Sequence, residues 1–359
     1  MIVQRRGRTR TQRGVDLNAY RGAKHVMPPV AIPTKGREDK LCCQTLATLQ
    51  RYHWDMSKVH VFVDPVARRS DGTLEHDCYW KRLQHGDLAK VQLHPGGSGL
   101  CEQYNRIFEF FAGVTRVLIM SDTVPKILNR RKRSLLQDEL PLDDFKPLVA
   151  LAFDLCQEMS VRAWSLGPCK SPRNMRPGAI SLKCGLLDGN CFGVDLSRSP
   201  PLSFEYSGYT TDVEFSVKAW EADGGMVRFL GISAEHAYRS AGGHVASTGG
   251  PVSDRVNLTN QSIQSLAKAY PTLLKYCPSK SISDRGMKYR FLPKGPSPMT
   301  LFGSYNLRGA PTKFKTVPMT DTERCRKFRG IPAPPIRKTD LRKYNSGRHR
   351  KKKSEVAMK

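Results

Sequence analysis

An α/β fold, with a mostly parallel central sheet flanked by helices in a single body and a disordered basic arm on either side, is what the sequence predicts. Three observations carry that expectation. Short apolar runs such as Val59–Val63 (VHVFV) and Val117–Met120 (VLIM) have the composition of strands buried on both faces. Segments of helical period lie between them, which is the alternation that builds parallel sheets. The net charge of +27 over 359 residues is confined to the ends: residues 1–40 and 285–359 supply 24 of it, and the middle, 41–284, is nearly neutral.

In chain order, residues 1–27 are basic without apolar periodicity and are expected to be a disordered arm. A strand is expected over 29–34. A helix follows, with Leu41, Thr45, Leu46 and Leu49 on one face, and then a strand over 58–64. Strand, helix and strand within about 35 residues make a βαβ unit. A polar stretch comes next, and then Leu100, Tyr104, Ile107, Phe108 and Phe111 define one helix face leading into the strand at 117–120. The segment 126–147, with the charge run Arg130-Arg131-Lys132-Arg133, reads as a surface loop. Beyond it a helix over 147–159 and strands over 161–166, 179–184 and 190–194 are expected. Thr211 or Asp212 can cap a helix whose first turn carries Asp212 and Glu214, both suited to the helix dipole. A strand over 226–232 and an amphipathic helix over 261–274 complete a domain placed at 28–284. The Pro/Gly-rich basic segment 285–359 is expected to be an extended tail.

Composition narrows the function. No apolar run approaches the roughly 18–20 residues of a membrane span. The N-terminus, MIVQRRGRTRTQRG, has no apolar core of the kind a secretion signal needs, so a nuclear or cytoplasmic protein is expected, not a secreted one. The ten cysteines include no CxxC pair and no zinc spacing, as expected of reduced thiols. Basic arms suit a polyanion, with Arg348, Arg350, Lys351, Lys352 and Lys353 the densest candidates for nucleic-acid contact.

The stretch Arg116 to Val124 (RVLIMSDTV) organises the rest. Its apolar run stops abruptly at Ser121, Asp122 and Thr123, at the carboxyl end of a strand, where open α/β sheets bind ligands. An aspartate there can hold a hard cation through oxygen, and the cation can neutralise a diphosphate.

Several segments together resemble a known group. IPTKGR (32–37), TLATL (45–49) and VHVFVD (59–64) are similar to the opening of nucleotide-sugar transferases of the GT-A fold. GLCEQYNRIFEFFAG (99–113) followed by VLIMSDTV resembles the narrower TET/JBP-associated glycosyltransferase family, proposed to put sugars on hydroxymethylated pyrimidines in DNA. LLDGNCFGV (186–194), TDVEFSVKAWEADGGMVRF (211–229) and the glycine pair at 242–243 follow the same order. The resemblance spans about 29–275 and rests on order and spacing.

It implies a GT-A-like domain moving a sugar, with glucose the expected one, from a UDP-sugar to a hydroxymethylated pyrimidine in DNA with inversion. Thr34, Arg37, Asp64, Gln103, Asn105, Ser121 and Asp122 would bind the nucleotide sugar. Asp212 would be the general base, with Glu214 beside it. Mn²⁺ or Mg²⁺ would sit on Asp122, helped by His244. The family's run of three aspartates is Ser121-Asp122-Thr123 here, so divalent affinity is expected to be weak. An inactive nucleic-acid-binding scaffold and a protein O-glycosyltransferase are the alternatives.

Overall fold

The computed structural model describes residues 2–7, 10–21, 23, 25–130, 137–168, 171–206, 210–236, 252–277, 289–292 and 299–302. Sixteen strands occur among them: β1 Ile2–Gly7, β2 Arg10–Asp16, β3 Val30–Thr34, β4 Val59–Val63, β5 Gln92–Pro95, β6 Val117–Met120, β7 Ile127–Arg130, β8 Gln137–Glu139, β9 Ala163–Leu166, β10 Ala179–Ser181, β11 Cys191–Val194, β12 Val227–Phe229, β13 Ile232–Ala234, β14 Leu274–Tyr276, β15 Tyr289–Phe291 and β16 Met299–Phe302. The helices are α1 Glu38–Lys40 and α2 Ala47–Arg51, joined by a π-helical stretch Leu41–Leu46, then α3 Glu75–Leu83, α4 Leu100–Phe110, α5 Phe145–Glu158, α6 Thr211–Asp223 and α7 Val252–Ala269.

Eleven strands form one sheet in the order β1-β2-β16-β10-β12-β9-β11-β6-β3-β4-β5. Following the pairings across it, only β1, β10 and β11 run against the other eight, so the sheet is mixed but mostly parallel, as expected. Side chains alternate between its two faces with the period of two that strands impose. Leu118 and Met120 of β6, Val30 and Ile32 of β3, and Val59, Val61 and Val63 of β4 enter the core shared with the 38–51 helix and α5. Val117, Ile119, Ala31 and Phe62 face the opposite core, built on Tyr104, Ile107 and Phe108 of α4 and Phe215, Ala219 and Trp220 of α6. A third cluster packs Val213 and Val217 of α6 against Ile263 and Leu266 of α7. The result is three layers with helices on both faces.

The structure departs from the sequence reading at both ends. Residues 1–27 are not a free arm: β1 and β2 form a hairpin, β2 pairs in parallel with β16, and Val15 and Leu17 are buried in the main core. Leu17 opens a single 3₁₀ turn capped by Asp16, whose side chain accepts from Asn18 N at 3.0 Å. Likewise β15 and β16 lie beyond the expected boundary at 284. Contacts join residues 1–132 and 136–311 in one unit; the second, 133–135 with 312–359, lies outside the described residues. Within 126–147 the expected loop contains β7 and β8, and the expected strand at 226–232 breaks at Leu230-Gly231 into β12 and β13. Among the described residues the cysteines are unpaired, and no helix is long and apolar enough to cross a membrane.

Candidate active site

The chain lays β3, β4 and β5 side by side in one direction, then returns to place β6 on the other flank of β3. The order therefore reverses between β3 and β6. The crevice outside their carboxyl ends is where an open α/β sheet binds its ligand, because both crossovers diverge there and leave the strand ends uncovered. Thr34 closes β3, and Ser121 and Asp122 follow β6.

These residues are wired together. Thr34 Oγ1 donates to Asp122 Oδ2 at 2.8 Å, which spends its only proton. The Tyr79 hydroxyl, 2.7 Å away, therefore donates to Thr34 Oγ1 while its oxygen accepts from Arg37 N at 2.8 Å. The Arg37 guanidinium closes the circuit, Nη1 lying 3.2 Å from Asp122 Oδ1. Burial pushes the Asp122 carboxyl up, and Arg37 and Thr34 oppose that rise by favouring the charged form. The turn that delivers Arg37 needs Gly36, whose φ of +60° suits a residue without Cβ and whose N–H reaches Glu75 Oε2 at 3.0 Å. Next to it Lys35 Nζ donates to Ser98 O at 2.9 Å and stands 3.7 Å from Asp64 Oδ2. Two cations and two carboxylates thus line one corner.

A second group of acids is joined to that corner through the 186–190 turn, where Asn190 O accepts from Ser121 N. Asp212 opens α6, its Oδ1 accepting from Val213 N at 2.8 Å. It is half-buried, and desolvation pushes its carboxyl up to about 6. Asp188, in the turn before β11, is buried and pushed up to about 7, first by desolvation and then by the charge of Asp212. The phenol of Tyr104 on α4 is raised by burial first, and then by the charges of Asp212, Asp188 and Asp122. Tyr104 is held there by stacking on Phe204, 5.0 Å between centroids. Sequence reading missed Asp188 and Tyr79; an Asp-Gly-Asn turn and a tyrosine in a polar stretch carry no periodic signal.

Other expected site residues take structural positions. Glu214 is fully buried and turned away: its oxygens accept from Glu205 N at 2.7 Å and Tyr206 N at 3.1 Å, and Lys218 Nζ lies 3.0 Å off. A carboxylate so engaged braces the 204–206 segment and has no oxygen left for a substrate proton. Asn105 is likewise spent on both sides of Phe204, donating to its carbonyl at 2.9 Å and accepting its N–H at 2.7 Å. Asp64 caps the turn after β4, accepting from Val66 N at 3.1 Å and Ala67 N at 3.2 Å. Gln103 is buried under the end of β3, with Nε2 3.5 Å from Thr34 O, and fits because Gly96 has no Cβ to collide with it. His244 and Arg348, Arg350, Lys351, Lys352 and Lys353 lie outside the described residues.

The resemblance implies a divalent cation, and the donor set does not fit one. Mg²⁺ and Mn²⁺ need oxygen ligands turned toward the ion. Both oxygens of Asp122 already face protein donors, and the cation beside them is Arg37. Ser121 and Thr123 supply hydroxyls where acids would be needed, and among the described residues no three His, Cys, Asp or Glu side chains converge as ligands. Asp122, expected to hold the cation, is here the partner of a guanidinium.

No protein-family model matches the sequence, and no curated protein matches it. Among solved structures the chain is similar to residues 1–349 of S. aureus TarS in complex with UDP-GlcNAc, at 12% identity and a TM-score of 0.41 over 67% of each chain. It is also similar to the mannosyltransferase PcManGT from Pyrobaculum calidifontis in complex with GDP-Man and Mn²⁺, at 13% identity and a TM-score of 0.38, over 71% of this chain and 70% of that one. Likeness at this level assigns no activity to the chain.

Proposed function

We propose that the chain is an inverting glycosyltransferase that moves a hexose, glucose in the first instance, from a UDP-sugar to a hydroxymethylated pyrimidine in DNA. The observation that carries this reading is a cation-lined corner at the sheet's switch point joined through the 186–190 turn to a half-buried, raised carboxylate, Asp212. Transfer needs both. The acceptor hydroxyl is a poor nucleophile at neutral pH until a carboxylate takes its proton. The leaving diphosphate gathers negative charge that fixed cations can stabilise.

In this mechanism Asp212 removes the hydroxyl proton as the oxygen attacks the anomeric carbon. The bond from that carbon to the diphosphate breaks on the opposite face, and UDP leaves against Arg37 and Lys35. A base in duplex DNA must leave the stack to reach such a crevice. The direct test is release of UDP from UDP-glucose in the presence of DNA containing hydroxymethylcytosine; no release with that acceptor or with water would overturn the reading. The locked state of Asp122 favours one rival, a scaffold that binds nucleic acid without turnover, and the same assay separates the two.

With Arg37 and Lys35 in the cation's place, turnover is expected to be unchanged by EDTA. Activity that EDTA abolishes and Mn²⁺ restores would reject this assignment. The polymer would be held by the basic C-terminal residues. Deleting 312–359 leaves every described strand intact, and it should flatten the salt dependence of DNA affinity without changing UDP affinity. An unaltered slope would move the DNA contact to the folded body.

A further inference from the structure

The turn at 186–190 is clamped at both ends. Asn190 O accepts from Ser121 N at 3.0 Å, at the cation-lined corner, and Leu187 N donates to Ser216 Oγ at 2.8 Å on α6. Ser216 Oγ in turn donates to Asp212 O at 2.6 Å. A Cβ placed on Gly189 would stand 3.6 Å from Asp212 Cβ. Asp188 is therefore fixed between the two halves of the site, where the sugar would change hands, and it is 4% exposed.

Its two oxygens are not equivalent. Oδ1 accepts from Asn190 Nδ2 at 2.7 Å and Asn190 N at 3.3 Å. Oδ2 is buried with no hydrogen-bond partner among the described residues. Two N–H groups aimed at Oδ1 keep that oxygen bare, so a proton on Asp188 belongs to Oδ2, which leaves a buried donor with nothing in the fold to receive it. Leaving such a group unmatched is costly, and a ligand oxygen relieves the cost.

We propose that Asp188 acts as a neutral acid, its Oδ2–H donating a hydrogen bond to a hydroxyl oxygen of the sugar ligand next to Asp212. The ligand's identity as a sugar rests on the transferase reading above.

Burial favours the neutral form of Asp188. Desolvation first, and then the Asp212 charge, push its carboxyl up to about 7 against the two Asn190 N–H groups, which favour the charged form. The other titratable groups facing the pair are Tyr104 from α4, Cys191 from β11 and Tyr289 from β15. All three are raised by burial and stay neutral near pH 7, so Asp212 is the charge that Asp188 meets among the described residues.

The experiment uses the full chain with aspartate labelled at its carboxyl carbon, UDP-glucose and UDP as calorimetric probes, and the pH–rate profile of UDP-glucose turnover. The Asp188 carboxyl, identified by its loss in Asp188→Asn, should titrate near pH 7; a midpoint below 5 overturns the proposal. Asp188→Asn presents an N–H where Oδ2–H stood. It should keep turnover and UDP-glucose affinity within about threefold and lose the decline in rate above pH 7, whereas Asp188→Ala should lose about tenfold or more. An asparagine variant as damaged as the alanine variant, or one that keeps the alkaline decline, also overturns it. Weaker binding of UDP-glucose relative to UDP in Asp188→Ala assigns the hydroxyl to the donor sugar. Unchanged donor affinity with a raised acceptor KM assigns it to the acceptor. If wild type neither binds nor turns over UDP-glucose, it is the transferase reading that fails, and the carboxyl titration still passes or rejects the neutral acid.

Discussion

Asp212→Asn is expected to lower transfer by about 10²–10⁴-fold, the usual contribution of a positioned general base, and to leave UDP affinity unchanged. Asparagine keeps the oxygen that accepts from Val213 N, so the start of α6 survives and the loss is chemical. The wild-type rate should climb with pH through a midpoint near 6, because only the bare Asp212 carboxylate can take a proton, and then fall above pH 7 as Asp188 loses its own. Stability should move the other way. A carboxyl whose folded value, about 6, lies above the ordinary 3.8 makes the native state worse off once it ionises. That penalty is absent below pH 3.8, grows between 3.8 and 6, and is complete above. The variant should therefore be more stable than wild type at pH 7.5, by roughly 1–3 kcal/mol, and equal to it near pH 3.5. Denaturant melts at the two pH values measure this. Transfer that survives in Asp212→Asn would remove Asp212 from the role.

Arg37→Ala is the second large effect. It removes the cation from the leaving-group corner, and UDP binding should fall by about 10²-fold, the order lost when a charge-assisted contact to phosphate is deleted. It also strands Asp122, whose Oδ1 then faces Ser121 Oγ alone among the described residues, at 3.4 Å. Breaking a buried pair costs about 3–5 kcal/mol when the remaining charge cannot escape. Asp122 can escape by taking up a proton, so the deficit depends on pH. With Arg37 gone the carboxyl rises further, and the loss of stability should be small at pH 4 and increase toward neutrality. Arg37→Ala combined with Asp122→Asn should recover most of that stability and none of the UDP affinity. A double variant as unstable as the single one would show that Arg37 stabilises the fold through other contacts.

What the sequence made legible was decided by pattern. VHVFV and VLIM are apolar on both faces because β4 and β6 lie inside the sheet between two helical layers, and any such strand announces itself. The switch point followed, and with it Thr34, Arg37 and Asp122. Helix α3 was not legible: of its nine residues Tyr79 and Leu83 face the core while Trp80 is exposed, so the stretch looks polar. Its Tyr79 hydroxyl nevertheless anchors both Thr34 and Arg37. Strand β5 is a short edge strand ending in proline, which hides a strand's usual composition. Glu214 looked like half of a catalytic pair because acids at a helix start serve the dipole, a capping contact or chemistry alike; only the fold shows its oxygens turned to Glu205, Tyr206 and Lys218. The N-terminal hairpin was missed because its partner strand is remote, and no local pattern can report that.

That remote partner has a consequence during synthesis. Strand β2 ends at Asp16 and joins the sheet only along β16, which begins at Met299. At about 5–20 residues per second, the ribosome leaves the first strands without their docking site for roughly 15–60 seconds. Through that interval Val15 and Leu17 have no finished core to enter. Closure of the sheet by residues from both ends of this span comes last, so a nascent chain halted before 299 would leave the β2 edge that pairs with β16 open and Val15 and Leu17 without their core.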